Sequence, residues 1–170
     1  KHPNWQMGKK ISIDSATMMN KVFEVMEAKK IFNLGYDKIK ILINPNSYLH
    51  AIIIFNNGTI KFLAHETKMD IPIFNSIYNK AFYKKYKTKD IDLQKINSID
   101  LKIPKISQFK SLQILNKLPK KDTLFETVII SMNDELVNMF LNKKIKYQDL
   151  INYLLRIINF KIFQKYCNVK

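Results

Sequence analysis

Three residues in DSATMMNKVFEVMEA could act on one ligand if the segment is helical. At 100° per residue, Thr17, Asn20, Lys21, Glu24 and Ala28 share a stripe about 100° wide, and Met18, Met19, Val22, Val25 and Met26 fill the opposite side. Asn20, Lys21 and Glu24 would then project together, with Ser15 at the amino end of the same helix. A helix amino end offers unpaired N–H groups and positive dipole, which suits a phosphate. A hydroxyl, an amide and an ammonium beside it would complete an anion site. Glu24, one turn further on, carries the carboxylate oxygens that a hard divalent cation takes. A plainer reading stands beside this one: a solvated face with a Lys21–Glu24 ion pair, worth a few tenths of a kcal/mol.

The three histidines carry less. His50, among Leu49, Ala51 and Ile52, reads as a packed, hydrogen-bonded core residue rather than a ligand. His65 follows an apolar run with no partner motif, and His2 opens the chain in a loop beside Trp5. Dinucleotide, P-loop, zinc-protease and serine-hydrolase motifs are missing from the sequence, and no nucleophilic triad is supported.

These side chains need elements to hold them. Residues 1–13 read as a loop with Gly8 as hinge, closing into a short strand, KISI. Asp14 and Ser15 offer an N-cap for a helix running to about Phe32, and Gly35 in NLGYD offers its C-cap. IKILINP alternates like a strand, and HAIIIF and TIKFLAH flank Asn57–Gly58 as a hairpin. After about Ile77 the chain turns polar and aperiodic, as a linker does. From about Ser107 three helical stretches with short connections suggest a small bundle. The expected fold is therefore an α/β segment, a helix on a small sheet with a hairpin, followed by a linker and a C-terminal α-helical bundle.

Composition narrows the class. The chain of 170 residues has 46% hydrophobic content and no apolar run long enough to cross a bilayer. One cysteine, Cys167, excludes an internal disulfide and a cysteine-based zinc cluster, and makes a reducing, intracellular setting the default. The net charge of +15 invites a nucleic-acid reading, but Arg156 is the sole arginine and phosphate readers favour the guanidinium fork. Heavy use of Lys, Ile, Asn, Tyr and Phe with three glycines matches a drift toward AT-rich codons.

KHPNWQMGKKISIDSATMMNK, with Glu24 following, closely resembles the corresponding segment of the 1-deoxy-D-xylulose 5-phosphate reductoisomerase family. NPNSYLHA is similar to that family's Pro-x-Ser-x-x-His segment, KMDIPI keeps a Met-centred trace, and SMNDELVNMFLNKKIKYQDL resembles its Asn-Glu helix. The resemblance implies a metal-assisted rearrangement of 1-deoxy-D-xylulose 5-phosphate and an NADPH-dependent reduction to 2-C-methyl-D-erythritol 4-phosphate. It implies that Ser15, Asn20 and Lys21 hold the substrate phosphate or neighbouring oxygens. Glu24 would be one of three acidic ligands to Mg2+ or Mn2+, with Co2+ a further candidate. His2 would touch substrate, Trp5 would close over it, Met7 and Gly8 would lie in the same flap, and Met69 would lie near the nicotinamide. His2, Trp5, Lys21 and Glu24 are thus the implied catalytic set.

The resemblance further implies a homodimer in a bacterial cytoplasm or plastid-like organelle, with no nucleic-acid or membrane partner. Residues 1–77 are expected to end the catalytic domain, 78–106 to form the linker and 107–170 the helical domain. The NADPH-binding domain and the other two metal ligands would lie upstream of Lys1, making this chain a fragment inactive alone. Lys68 stands where an acidic residue is usual, and FNSIYNKAF lacks the family's Trp-Pro motif. Two rivals remain: a drifted, inactive paralogue kept as a dimer partner, and a lysine-rich nucleic-acid-binding module, whose retention on DNA or RNA would fall steeply with salt.

Overall fold

The computed structural model describes residues 7–78 and 92–169. It is helix-rich, with one two-stranded antiparallel sheet among the described residues. The chain divides into two compact units, 1–41 with 104–170, and 42–103.

The first unit begins with α1 (Lys9–Ala16) and α2 (Met19–Phe32). KISI is helical here, where alternation of Ile with polar residues suggests a strand. Local and tertiary contacts override the β-propensity of Ile11 and Ile13. The Ser12 hydroxyl donates to the Gly8 carbonyl at 2.9 Å, and Lys10 and Asp14 pair across one turn at 2.7 Å. Asp14 and Ser15 consequently lie in the last turn of α1 and do not cap the longer helix. The single helix expected to Phe32 is broken at Met18, which takes the left-handed conformation at φ 62°.

α2 buries Met19, Val22, Val25 and Met26, an apolar stripe at helical spacing. It ends at Asn33, whose φ of 50° gives the left-handed cap, and the Leu34 amide donates to the Lys29 carbonyl at 3.2 Å. Gly35, expected in that role, has an ordinary negative φ. A short 3-10 turn, Tyr36–Lys38, follows.

A 3-10 helix (Lys110–Lys117) carries the chain of this unit on to three further helices. After α3 (Asp70–Ile77) and α4 (Leu93–Asn97) of the second unit, these are α5 (Phe125–Leu141), α6 (Asp149–Ile157) and α7 (Lys161–Gln164). α5 packs on α1 and α6, and α6 packs on the 3-10 helix. Met19, Val22, Ile114, Phe125, Ile129, Val137, Leu154 and Ile158 are the fully buried apolar side chains of this unit among the described residues. Glu126 is buried among them because both carboxylate oxygens are bonded: Tyr36 Oη and Thr123 Oγ1 each donate to it at 3.1 Å.

In the second unit, β1 (Leu49–Ile54) pairs antiparallel with β2 (Ile60–Ala64), running from Leu49 opposite Ala64 to Ile54 opposite Ile60. Gly58 takes a φ of 83° in the connecting turn, a conformation that costs a side-chain-bearing residue roughly 1–2 kcal/mol. IKILINP does not form a strand; Ile43 alone bridges, to Lys102. α3 (Asp70–Ile77) and α4 (Leu93–Asn97) complete the unit, and the Asp92 carboxylate caps α4 by accepting from the Gln94 and Lys95 amides. No helix among the described residues is long and apolar enough to cross a membrane.

Candidate functional site at the junction of α1 and α2

The junction is built from a short chain of hydrogen bonds. Thr17 Oγ1 donates to the Ile13 carbonyl at 2.9 Å, and the Met18 amide donates to the Ser15 carbonyl at 3.2 Å. The left-handed Met18 then redirects the chain into α2, and its carbonyl accepts the first bond of that helix from the Val22 amide at 3.3 Å. The amides of Met19, Asn20 and Lys21 thereby belong to the first turn, which a helix cannot pair internally.

On the outward face of α2, Asn20 Nδ2 donates to Glu24 Oε1 at 2.7 Å and Lys21 Nζ donates to Glu24 Oε2 at 2.6 Å. Three of the expected site residues are therefore in mutual contact. Their contact is also the surface ion pair of the plainer reading: Lys21 and Glu24 are 42% and 46% exposed, and such a pair is worth about 0.5 kcal/mol. Holding it leaves both partners free to exchange it for a ligand at small cost. Ser15 is half-buried in the last turn of α1, not at the amino end of α2 but across the Thr17–Met18 break from it.

Met7 and Gly8 lie just ahead of α1, where the Gly8 carbonyl accepts from the Ser12 amide at 3.1 Å. His2 and Trp5 fall outside the described residues. Met69 belongs to the second unit, just before α3, and is 51% exposed. His50 is exposed and not a core residue; its ring stacks on that of His65 with centroids 3.6 Å apart. The pattern of Leu49, Ala51 and Ile52 around it misleads because a two-stranded ribbon leaves one face open to solvent.

As a metal site the described residues are incomplete. They bring no three His, Cys, Asp or Glu side chains together. Glu24 alone offers a carboxylate on the exposed face beside the α2 amino end, so this chain fits as the donor of one hard oxygen ligand.

Sequence reasoning assigns no role to Lys10, Ser111, Asn133 or Asp134 and reads Asp14 only as an N-cap candidate. Asp14 is 2% exposed, its Oδ1 accepting from Asn133 Nδ2 at 2.9 Å and its Oδ2 pairing with Lys10. Lys10 also reaches Asp134 at 2.8 Å. Burial works to lower the Lys10 pKa, but hydrogen bonds to Asp134 and Asp14 outweigh it and leave the ammonium raised. Ser111, fully buried, donates from Oγ to the Thr17 carbonyl at 2.5 Å. The i, i+4 spacing of Lys10 and Asp14, and the family-like stretch SMNDELVNMFLNKKIKYQDL that contains Asn133 and Asp134, are the available signals; nothing local marks Ser111.

Comparison with known proteins puts these elements in a family. Residues 1–32 match the 1-deoxy-D-xylulose 5-phosphate reductoisomerase C-terminal domain, and residues 65–169 match the DXP reductoisomerase C-terminal domain. The chain is 57% identical to a 1-deoxy-D-xylulose 5-phosphate reductoisomerase of Pelagibacter ubique, over 100% of its own length and 44% of that protein. A reductoisomerase of Clostridium novyi is 37% identical over 94% of this chain and 41% of its own length. The chain thus spans less than half the length of these curated relatives.

Among solved structures, DOX-P reductoisomerase in complex with NADPH, fosmidomycin and magnesium superposes with a TM-score of 0.81 at 29% identity, over 97% of this chain and 40% of that one. The Zymomonas mobilis reductoisomerase with NADPH gives 0.75 at 29% identity, over 86% and 39%. With a family model matching more than half of its residues, this chain belongs to the 1-deoxy-D-xylulose 5-phosphate reductoisomerase family.

Proposed function

We propose that these residues form the C-terminal part of an enzyme that converts 1-deoxy-D-xylulose 5-phosphate to 2-C-methyl-D-erythritol 4-phosphate with NADPH and a divalent metal. The observation that carries the proposal is the convergence of Asn20, Lys21 and Glu24 beside the amino end of α2, inside the segment matched to the family. The solved relative holding NADPH, fosmidomycin and magnesium supports the same cofactors here.

In this proposal the phosphate docks against the first turn of α2, where Ser15, Asn20 and Lys21 bind it. Lys21 and Asn20 exchange Glu24 for phosphate oxygens, and that exchange releases the Glu24 carboxylate. Gripping the phosphate away from the reacting carbons supplies binding energy that can be used for orientation. Glu24 would hold Mg2+ or Mn2+ together with donors from elsewhere in the protein, and the bound ion supplies Lewis-acid polarisation of the substrate oxygens. His2 and Trp5, with Met7 and Gly8 at the base of their flap, would cover the substrate and exclude water from a reactive carbonyl. Met69 would sit against the nicotinamide. The proposed domain order is a catalytic segment to residue 77, a linker to 106 and a helical domain beyond it, in a cytoplasmic homodimer.

The full-length protein, given 1-deoxy-D-xylulose 5-phosphate, NADPH and Mn2+, should consume NADPH and yield 2-C-methyl-D-erythritol 4-phosphate by NMR. Glu24→Gln should weaken metal binding and reduce turnover by two orders of magnitude or more, within the range of lost electrostatic stabilisation. Wild-type turnover that survives unchanged in Glu24→Gln removes this residue from the site. A wild-type protein that neither binds metal nor forms product favours the inactive paralogue.

A further inference from the structure

We propose that Ser111 and the Asp14–Asn133 pair, braced by Lys10 and Asp134, are positioning residues that fix the α1–α2 junction in the geometry that grips the substrate phosphate. The proposal rests on the phosphate-binding reading above and goes beyond it. It assigns part of the site's organisation to residues 94 and 119 positions away in sequence.

The junction needs such holding. Met18 is a side-chain-bearing residue in the left-handed region, a conformation that persists only where its surroundings determine it. Ser15 lies ahead of this residue and the first-turn amides of α2 lie after it, so the Met18 conformation sets their relative placement. Two anchors bracket Ser15. On one side is Asp14, buried and saturated by Asn133 and Lys10. On the other is the Thr17 carbonyl, held by the fully buried Ser111 hydroxyl at 2.5 Å.

A buried carboxylate is costly unless its oxygens are bonded, and the bond from Asn133 to Asp14 ties α1 to α5. None of these groups lies on the exposed face that carries Asn20, Lys21 and Glu24. Their effect on a ligand would be exerted through the backbone.

The test uses the full-length protein with 1-deoxy-D-xylulose 5-phosphate, and inorganic phosphate as a competitive probe. Ser111→Ala and Asn133→Ala are each expected to raise the sugar-phosphate KM and the phosphate inhibition constant in parallel, by roughly five- to tenfold, the scale of one hydrogen bond. The KM for NADPH should stay within twofold of wild type, and Ser111→Thr should restore most of the loss. Lys117→Ala, which removes an exposed bond to Asn159, serves as control and should change none of these constants.

Unchanged phosphate affinity in folded Ser111→Ala and Asn133→Ala overturns the proposal, as does an equal loss toward NADPH, the mark of general damage. If Asn133→Ala does not fold, Ser111→Ala and Ser111→Thr decide alone. Failure of the functional reading looks different: the wild type itself then neither turns over the sugar phosphate nor binds phosphate.

Discussion

The helices of the first unit and the hairpin of the second are built from much the same residues, Ile and Phe foremost, yet they end in opposite environments. Phe125, Ile129, Leu154 and Ile158 are closed off from solvent. In the hairpin Ile54, Ile60, Phe62 and Leu63 are each more than half exposed, Ile54 at 73%. A helical unit whose stripes face one another buries them mutually, whereas a two-stranded ribbon has no second layer of its own. The same apolar side chain therefore carries stability in one region and almost none in the other.

Truncating one phenylalanine in each unit should separate the two environments most widely. Phe125→Ala should cost about 3–5 kcal/mol in denaturant unfolding, the range for a buried aromatic, while Phe62→Ala should stay within about 0.5 kcal/mol. Comparable losses from the two would show that the hairpin has a core of its own. Next in size is the buried carboxylate. Glu126→Ala strands the Tyr36 and Thr123 hydroxyls and should cost about 1–3 kcal/mol by the same measurement.

In the hairpin, Gly58→Ala forces a Cβ into a positive-φ position, costing roughly 1–2 kcal/mol. That loss should appear as faster amide exchange in β1 and β2 with α5 unaffected, and slowed or unchanged exchange would contradict the turn geometry.

The smallest effect is an alkaline pH dependence from two groups of the helical unit, Tyr36 and Lys10. Burial, then the neighbouring Glu126 charge, raises the Tyr36 hydroxyl well above its ordinary value of 10.0, and Lys10 is raised above 10.5. Groups held protonated in the folded state contribute fully below their unfolded pKa and lose that contribution as pH rises through the folded value. Stability should thus be insensitive to these two groups from neutral pH to about 10 and decline above it. Tyr36→Phe should flatten part of the decline; an unchanged alkaline slope in that variant would remove Tyr36 as its source.

Legibility in the sequence followed the range of the forces involved. The hairpin could be read because Asn57–Gly58 sets its turn within a few residues. The buried stripe of α2 could be read because Met19, Val22, Val25 and Met26 recur at helical spacing. KISI could not, since the contacts that make it helical run from Lys10 to Asp134 and from Asp14 to Asn133. IKILINP alternates correctly for a strand but finds a ladder partner only at Lys102, and alternation without a neighbour forms no sheet.

The residue types on the outward face of α2 are legible without any structure, since Asn20, Lys21 and Glu24 fall together wherever that segment is helical. The sequence also carried the family resemblance in KHPNWQMGKKISIDSATMMNK. Long-range packing sets the start of this helix at Met19, the bend at Met18 ahead of it, and the place of Ser15 across that bend. A left-handed residue and a buried carboxylate are each unfavourable alone. Ser111, Asn133 and Lys10, brought in by packing from both ends of the chain, supply the bonds that make them stable.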